Sequence, residues 1–508
     1  MNSLKRTLAL VATLALASTA LVGCGDSSSS SSSSSAADSS SAADSSAADS
    51  AADDSAADDS ASDSDADSDA DGDSTADAAG GEVKLPTGGE TLTIMSWNAE
   101  FSDMVKNYYC KDNGWTDDGN GNFSKDGVTL NVVNHGVGGG EASQYYDNYF
   151  KSEEDLDLYC VEADWALNYL EDDEKSAPIS DVGITESELA DQYQYTKDIG
   201  TTSAGVLKGV SWQCAPGGFA YRTDLAEKYL GVKSTDEMQE KVKDWDTFLA
   251  TAKEVYDASG DAHTALTTSL GGIWQVFSST KPSAWVVDNK LVVDDTVTNF
   301  VEMAHTMYEN GYVCPGITQW ASDGSWLAQG QTDATMGYFV STWGIGETIL
   351  ESAAGGEGGA TYGKWALVTG PQDYYWGGTW LAVSPTCDNA DIVADIIRYF
   401  TVNEDSMEAY ALASSDFVNN KKVMKNIVDE GKNSNANLGG QDQFAVFIDA
   451  AEKIDLAGKL TKYDADIKQE FTTAYDAYNR GDYASVDDTI NAFKDAVAAK
   501  ITDLTWDD

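Results

Sequence analysis

Glu162-Ala163-Asp164-Trp165 places two carboxylates and an indole within four consecutive residues, directly after a short apolar run. Carboxylates accept hydrogen bonds from hydroxyl groups and indoles stack on apolar C–H faces, so the grouping suits a polyhydroxylated ligand such as a sugar. The same residue types serve acid–base glycoside hydrolysis. That chemistry needs two carboxyls opposed across a bond, roughly 5–10 Å apart, and adjacent carboxylates on one segment rarely give it. Trp97-Asn98-Ala99-Glu100 repeats the combination of indole, amide and carboxylate after an earlier apolar run. Gly136-Val137-Gly138-Gly139-Gly140-Glu141 stands where a dinucleotide fingerprint would, but Glu141 replaces the third glycine and would repel a pyrophosphate. With no GxxxxGK[ST] segment in the chain, these glycines read as a β–α turn. The 3 histidines form no metal-binding cluster, the cysteines no CxxC pair, and Asp117 to Asn122 lacks the glycine and glutamate of a calcium loop. No metal or other cofactor is expected.

The elements that would position these groups read as alternating strands and helices. Thr91–Met95, Val128–Val133 and Leu156–Val161 have strand character, each followed by a helix-like stretch, which predicts an α/β fold with a largely parallel sheet. The Gly/Asn/Asp-rich stretch from Gly114 to Gly127 reads as a hairpin or surface loop. After Ala215-Pro216-Gly217-Gly218 a new unit begins with a strand at Phe219–Tyr221 and a helix from Asp224 to Leu230, stopped by Gly231. Trp376-Gly377-Gly378-Thr379-Trp380 leads into a strand at Leu381–Val383 and a helix carrying Ile392, Val393, Ile396, Ile397 and Phe400. Ser485 and Asp488 form a capping box for a final helix. Ligands of open α/β sheets bind outside the carboxyl ends of strands, where both carboxylate–indole groups fall.

Composition restricts the setting. Residues 26–80 hold 15 Asp and otherwise only Ser, Ala, Gly and Thr, so they cannot bury enough surface to offset chain entropy. As a flexible coil this segment would span roughly 40 Å, further with like-charge repulsion. Ahead of it, Lys5 and Arg6, an apolar run from Leu8 to Leu21 and Leu21-Val22-Gly23-Cys24 look like the lipobox of a bacterial lipoprotein. That resemblance implies cleavage before Cys24, lipidation of Cys24, and a tether on the extracytoplasmic face of the cell membrane. Of the net charge of −54, residues 81–508 carry −41, which disfavours nucleic acid and anionic membrane surfaces as partners. Five cysteines remain after Cys24, an odd number, so disulfides are not the scaffold.

From about 88 to 505 the chain resembles the extracellular solute-binding proteins of carbohydrate ABC transporters, of the maltose-binding-protein type. The segments that carry the resemblance are Leu92–Trp97, the Asp157-Leu158-Tyr159 strand before Glu162–Trp165, Gly209–Arg222, Met336–Trp343 and Trp376–Val383. The resemblance implies two α/β lobes with a ligand cleft between them: 86–212 with 380–438, and 213–379 with 439–508, after a signal at 1–23 and a tether at 24–85. It also implies sugar contacts at Trp97, Asn98 and Glu100, at Glu162, Asp164 and Trp165, at Trp212 and Gln213 in the hinge, and at Trp274, Trp343 and Trp380. The function it implies is capture of an oligosaccharide by a non-catalytic monomer and delivery to the permease subunits of an ABC transporter. A binding protein for a peptide or polyamine, or a surface glycoside hydrolase, is the alternative.

Overall fold

In the computed structural model, residues 81–152, 154–279 and 281–506 are described; the signal segment, Cys24 and the acidic tether lie outside them. In chain order the strands are β1 (Thr91–Ser96), β2 (Thr116–Asp117), β3 (Phe123–Lys125), β4 (Val128–Asn134), β5 (Leu158–Glu162), β6 (Gly209–Ser211), β7 (Gly217–Arg222), β8 (Ala265–Thr267), β9 (Val286–Val287), β10 (Lys290–Leu291), β11 (Thr335–Ser341), β12 (Trp365–Val368) and β13 (Thr379–Val383). Interior strands such as β7, β11 and β13 are buried along their whole length, as expected where helices cover both faces. Two larger sheets result, ordered β2-β3-β4-β1-β5-β13-β6 and β12-β7-β11-β8, and β9 with β10 forms a separate hairpin. The protein is thus an α/β molecule with two sheet-centred lobes.

The expectation of a largely parallel sheet needs correction. In the first sheet only β1–β4 and β1–β5 pair in parallel. β2, β3 and β4 form antiparallel pairs, and β13 is antiparallel to both β5 and β6. The cause is connectivity: the Gly/Asn/Asp-rich insertion folds as the β2–β3 hairpin, and β13 enters the sheet on its return from the other lobe, with its direction reversed.

Three chain segments run side by side between the sheets. Gly217 N–H donates to Tyr374 C=O at 2.8 Å and Trp376 N–H to Ala215 C=O at 3.0 Å. Cys214 N–H donates to Phe417 C=O at 3.1 Å and Asn419 N–H to Trp212 C=O at 2.8 Å. The Ser211 hydroxyl closes the arrangement on the Thr379 carbonyl at 2.6 Å. Helix ends follow the local signals: Gly231 takes φ 69° after the helix Thr223–Leu230, and the Ser485 hydroxyl accepts from Asp488 N–H ahead of the helix Val486–Lys500. The five cysteines Cys110, Cys160, Cys214, Cys314 and Cys387 are free and buried. No helix among the described residues is long and apolar enough to cross a membrane.

Asp157, fully buried, joins β1 to the helix Ala390–Thr401. Its carboxylate accepts from Thr93 N–H at 2.8 Å, Asp388 N–H at 3.1 Å and Asn389 N–H at 3.2 Å, close to that helix's N-terminus, where negative charge is stabilised. Truncation would leave three backbone donors unpaired in the interior. Asp157→Ala should therefore lower the unfolding free energy by about 3–5 kcal/mol. Urea denaturation measures this, and a loss below about 1 kcal/mol would show that water satisfies these donors.

Candidate functional site

Both carboxylate–indole groups lie where their strands end. Trp97 is the residue after β1, and Glu100 opens the helical stretch that begins at Glu100–Met104. Glu162 is the last residue of β5, and its Oε2 accepts from Asp164 N–H at 2.8 Å, which curls the chain back over the strand end. The Val137 N–H donates to the Trp97 carbonyl at 2.9 Å, so the glycine run forms a β–α turn against the first of these strand ends. Trp97 meets Trp165 edge-on at 5.7 Å, which brings the two groups together.

The second lobe and the crossing segments supply the opposite side. Trp343 follows β11, and its Nε1–H donates to the Trp376 carbonyl at 2.7 Å. A Cβ at Gly377, whose φ is 71°, would lie 3.3 Å from Trp343 Nε1 and 3.7 Å from Glu162 Oε1, so the glycine lets both groups close in on the crossing segment. Trp343, Trp376 and Trp320 form one aromatic surface: Trp343 meets Trp376 at 5.2 Å and 71°, and lies nearly parallel to Trp320 at 6.1 Å and 17°. Beside Asp164, Lys468 on the helix Asp464–Asn479 reaches across to its Oδ1 at 2.8 Å. That helix packs through Phe471 on Trp274 of the helix Leu270–Ser279, which in turn packs on β11, so the ion pair joins the two lobes. A small hollow beside it is lined by Ala163, Leu167, Tyr375, Thr461 and Asp464.

The electrostatics of this region are set by desolvation. Burial first, then the nearby Asp416 charge, pushes the Glu100 carboxyl up to about 7. Burial lifts Asp416 to about 6, although Phe417 N–H and the Thr342 hydroxyl donate to it at 2.8 Å and 3.1 Å. Glu162 is raised well above the carboxylate range by burial and by Asp164. Burial acts to lower Lys468, but the charges of Asp164 and Asp464, with Tyr375, outweigh it and hold the ammonium protonated. The arrangement therefore presents carboxyl groups that burial biases toward the protonated form, able to donate as well as accept, beside indole rings.

Not every expected contact stands here. Asn98, Glu100, Glu162, Asp164 and Trp343 line this region and Trp97, as buried as Trp165, packs beneath it, whereas Trp380, with no exposed surface, sits inside β13 and donates from Nε1 to the Thr196 carbonyl at 2.8 Å. Trp274 packs among Phe300, Phe471 and Tyr475 in the helical layer, at 4.8, 4.4 and 6.1 Å. Trp212 is buried against Phe101 at 5.0 Å, and Gln213 is buried in the hinge. Trp165 is only 6% exposed, with its ring among Trp97, Tyr146 and Tyr169, so it supports the site more than it offers a free face. Asp416, Lys468 and Trp320 were not among the expected residues. Asp416 and Lys468 lie hundreds of residues from Glu162, and nothing in their local pattern separates them from surface charges.

Residues 124–438 match the model of a family described as bacterial extracellular solute-binding protein. The chain belongs to this family. Its members act outside the cytoplasm, which places this solute-binding protein on the extracytoplasmic side. No curated protein matches the chain in sequence at a significant level. Among solved structures, an extracellular solute-binding protein of family 1 matches with a TM-score of 0.67 at 17% identity, over 80% of this chain and 99% of that one. The ABC-transporter-associated binding protein of B. animalis subsp. lactis Bl-04, in complex with beta-1,6-galactobiose, gives 0.59 at 19%, over 82% and 98%. The sugar-binding protein MalE of Xanthomonas citri gives 0.60 at 14%, over 81% and 98%. These likenesses establish the two-lobed fold.

A raised carboxyl pKa fixes the sign of a pH effect. Glu100 stays protonated in the folded chain up to about 7 but ionises near 4.5 when unfolded, so its contribution is present below 4.5 and lost as pH rises through 7. Glu100→Gln cannot ionise. Its thermal midpoint should gain on the wild type between about pH 4.5 and 7 and hold that gain above. A difference that stays flat across this window would mean that Glu100 is solvated.

Proposed function

We propose that this chain is a lipid-anchored extracytoplasmic receptor that captures an oligosaccharide and delivers it to the permease of an ABC transporter. The observation that carries the reading is the apposition of Glu162 with the Trp343–Trp376 surface across the crossing segment at Gly377. Sugar hydroxyls would exchange hydrogen bonds with these carboxyl groups while C–H faces cover the indoles. The sugar complexes among the structural neighbours support the same class, as does a neighbour that binds lacto-N-biose. Lipidation at Cys24 rests on the sequence ahead of the acidic tether. The lobes are taken as 86–212 with 380–438 and 213–379 with 439–508, and the protein as a monomer.

Binding would act by closure. A ligand shifts an open–closed equilibrium only through differential affinity, so it must touch both lobes in the closed form. Carboxylates outnumber the single lysine at this site, which favours a cationic solute such as a polyamine as the second reading. A thermal-shift panel of residues 81–508 against neutral mono- and oligosaccharides, polyamines and peptides separates the two. A cognate sugar at 100 times its dissociation constant should add about 2.7 kcal/mol and raise the midpoint by several degrees without being cleaved. A shift with polyamines alone would replace the sugar reading, and release of reducing sugar would replace the receptor reading with hydrolysis.

A further inference from the structure

Trp320 takes a backbone conformation that tryptophan rarely adopts. Its φ is 60°, in the left-handed region, where a bulky side chain is strained. The same loop has two other left-handed residues, and both are glycine: Gly316 at 70° and Gly324 at 72°. Around it, Ala321 N–H donates to Thr318 C=O at 3.2 Å and Gly324 N–H to Ala321 C=O at 3.0 Å, so the chain turns twice in succession. A loop needing only these turns would be relieved by glycine at 320 as well. Strain of this kind persists where the surroundings hold it, and it concentrates at ligand sites.

The surroundings of the ring agree. Trp326 supports it edge-on at 4.7 Å, and Trp376 at 6.0 Å. Trp326 is itself a core residue, 2% exposed, with Nε1 satisfied by the Thr268 hydroxyl at 2.9 Å. Trp320 by contrast is only half-buried, and lies nearly parallel to Trp343 beside the Glu162 carboxylate. A partly exposed indole fixed by other indoles, with Glu162 on the far side of the neighbouring Trp343, suits a pyranose ring that shows one face of C–H bonds and hydroxyls at its rim.

We propose that Trp320 is a platform for the apolar face of a pyranose ring, and that its left-handed backbone is strain the fold retains to present it. The proposal rests on the sugar reading above and assigns the ligand's ring contact on the second lobe.

The test takes the sugar that most stabilises the wild type and measures its affinity by calorimetry for Trp320→Ala, Trp320→Gly and Trp320→Phe. The Ala and Gly variants should lose at least tenfold in affinity, and Phe should keep an intermediate value because it retains a ring face. Without ligand, the Gly variant should melt above the Ala variant by roughly 1–3 °C, the reverse of the usual order, because glycine relieves the left-handed strain. A wild type that binds no sugar in the panel overturns the sugar reading and this proposal with it. A wild type that binds, with Trp320→Ala folded and binding equally well, overturns this proposal alone. A Gly variant melting below the Ala variant overturns the role of strain.

Discussion

In the ladder between β13 and β5, Thr379 faces Glu162 and Trp380 faces Val161. That register ties the end of β5 to the segment arriving from the second lobe, and Ala163 N–H continues it onto the Gly378 carbonyl at 3.1 Å. A shift of one residue would turn every side chain of β13 to the other face of a sheet covered on both sides. The register therefore fixes where Trp376 and Gly377 lie relative to Glu162. It also sets the Trp376 carbonyl that holds Trp343. Through these bonds one strand pairing aligns groups from both lobes, and the hinge and the site share the same backbone.

Charge placed at this junction is costly in the empty molecule. Glu100, Asp416 and Glu162 lose hydration on burial, and the hydrogen bonds that reach them do not offset the loss, so burial leads the causes of each shift. The ion pair of Asp164 with Lys468 relieves one carboxylate and links the lobes as it does so. A ligand bringing several hydroxyl donors would relieve the others, and more so in a closed geometry that excludes water. Such groups favour recognition over empty-state stability. They are the type of residue at which a binding protein departs from a pure folding optimum.

Much of the framework was legible in the sequence because its signals are local. β1, β4 and the helix after β13 follow from apolar periodicity, and the helix ends at Gly231 and Ser485 follow from cap chemistry. Strand direction was not legible, since β13 pairs with strands far away in the chain, and its antiparallel sense depends on a path through the other lobe. Of the site, the strand-end groups at Trp97–Glu100 and Glu162–Trp165 were visible because residue types clustered there. Asp416 and Lys468 were not, because their roles depend on tertiary proximity alone.

The tryptophans show where this limit falls. Trp380 lies within β13, where alternation assigns a face, but both faces are covered and either choice buries the ring. Trp274 lies on a helix whose apolar side meets another helix, so its type suited a stacking role while its position suited packing. Trp97 and Trp343 come just after strands, where no period constrains direction, and such positions can point into a cleft. Trp320 lies in a loop between glycines and had no periodic signal at all. What distinguishes it is conformational: where neighbouring left-handed positions use glycine and this one uses the largest side chain, the ring itself is the reason for the choice.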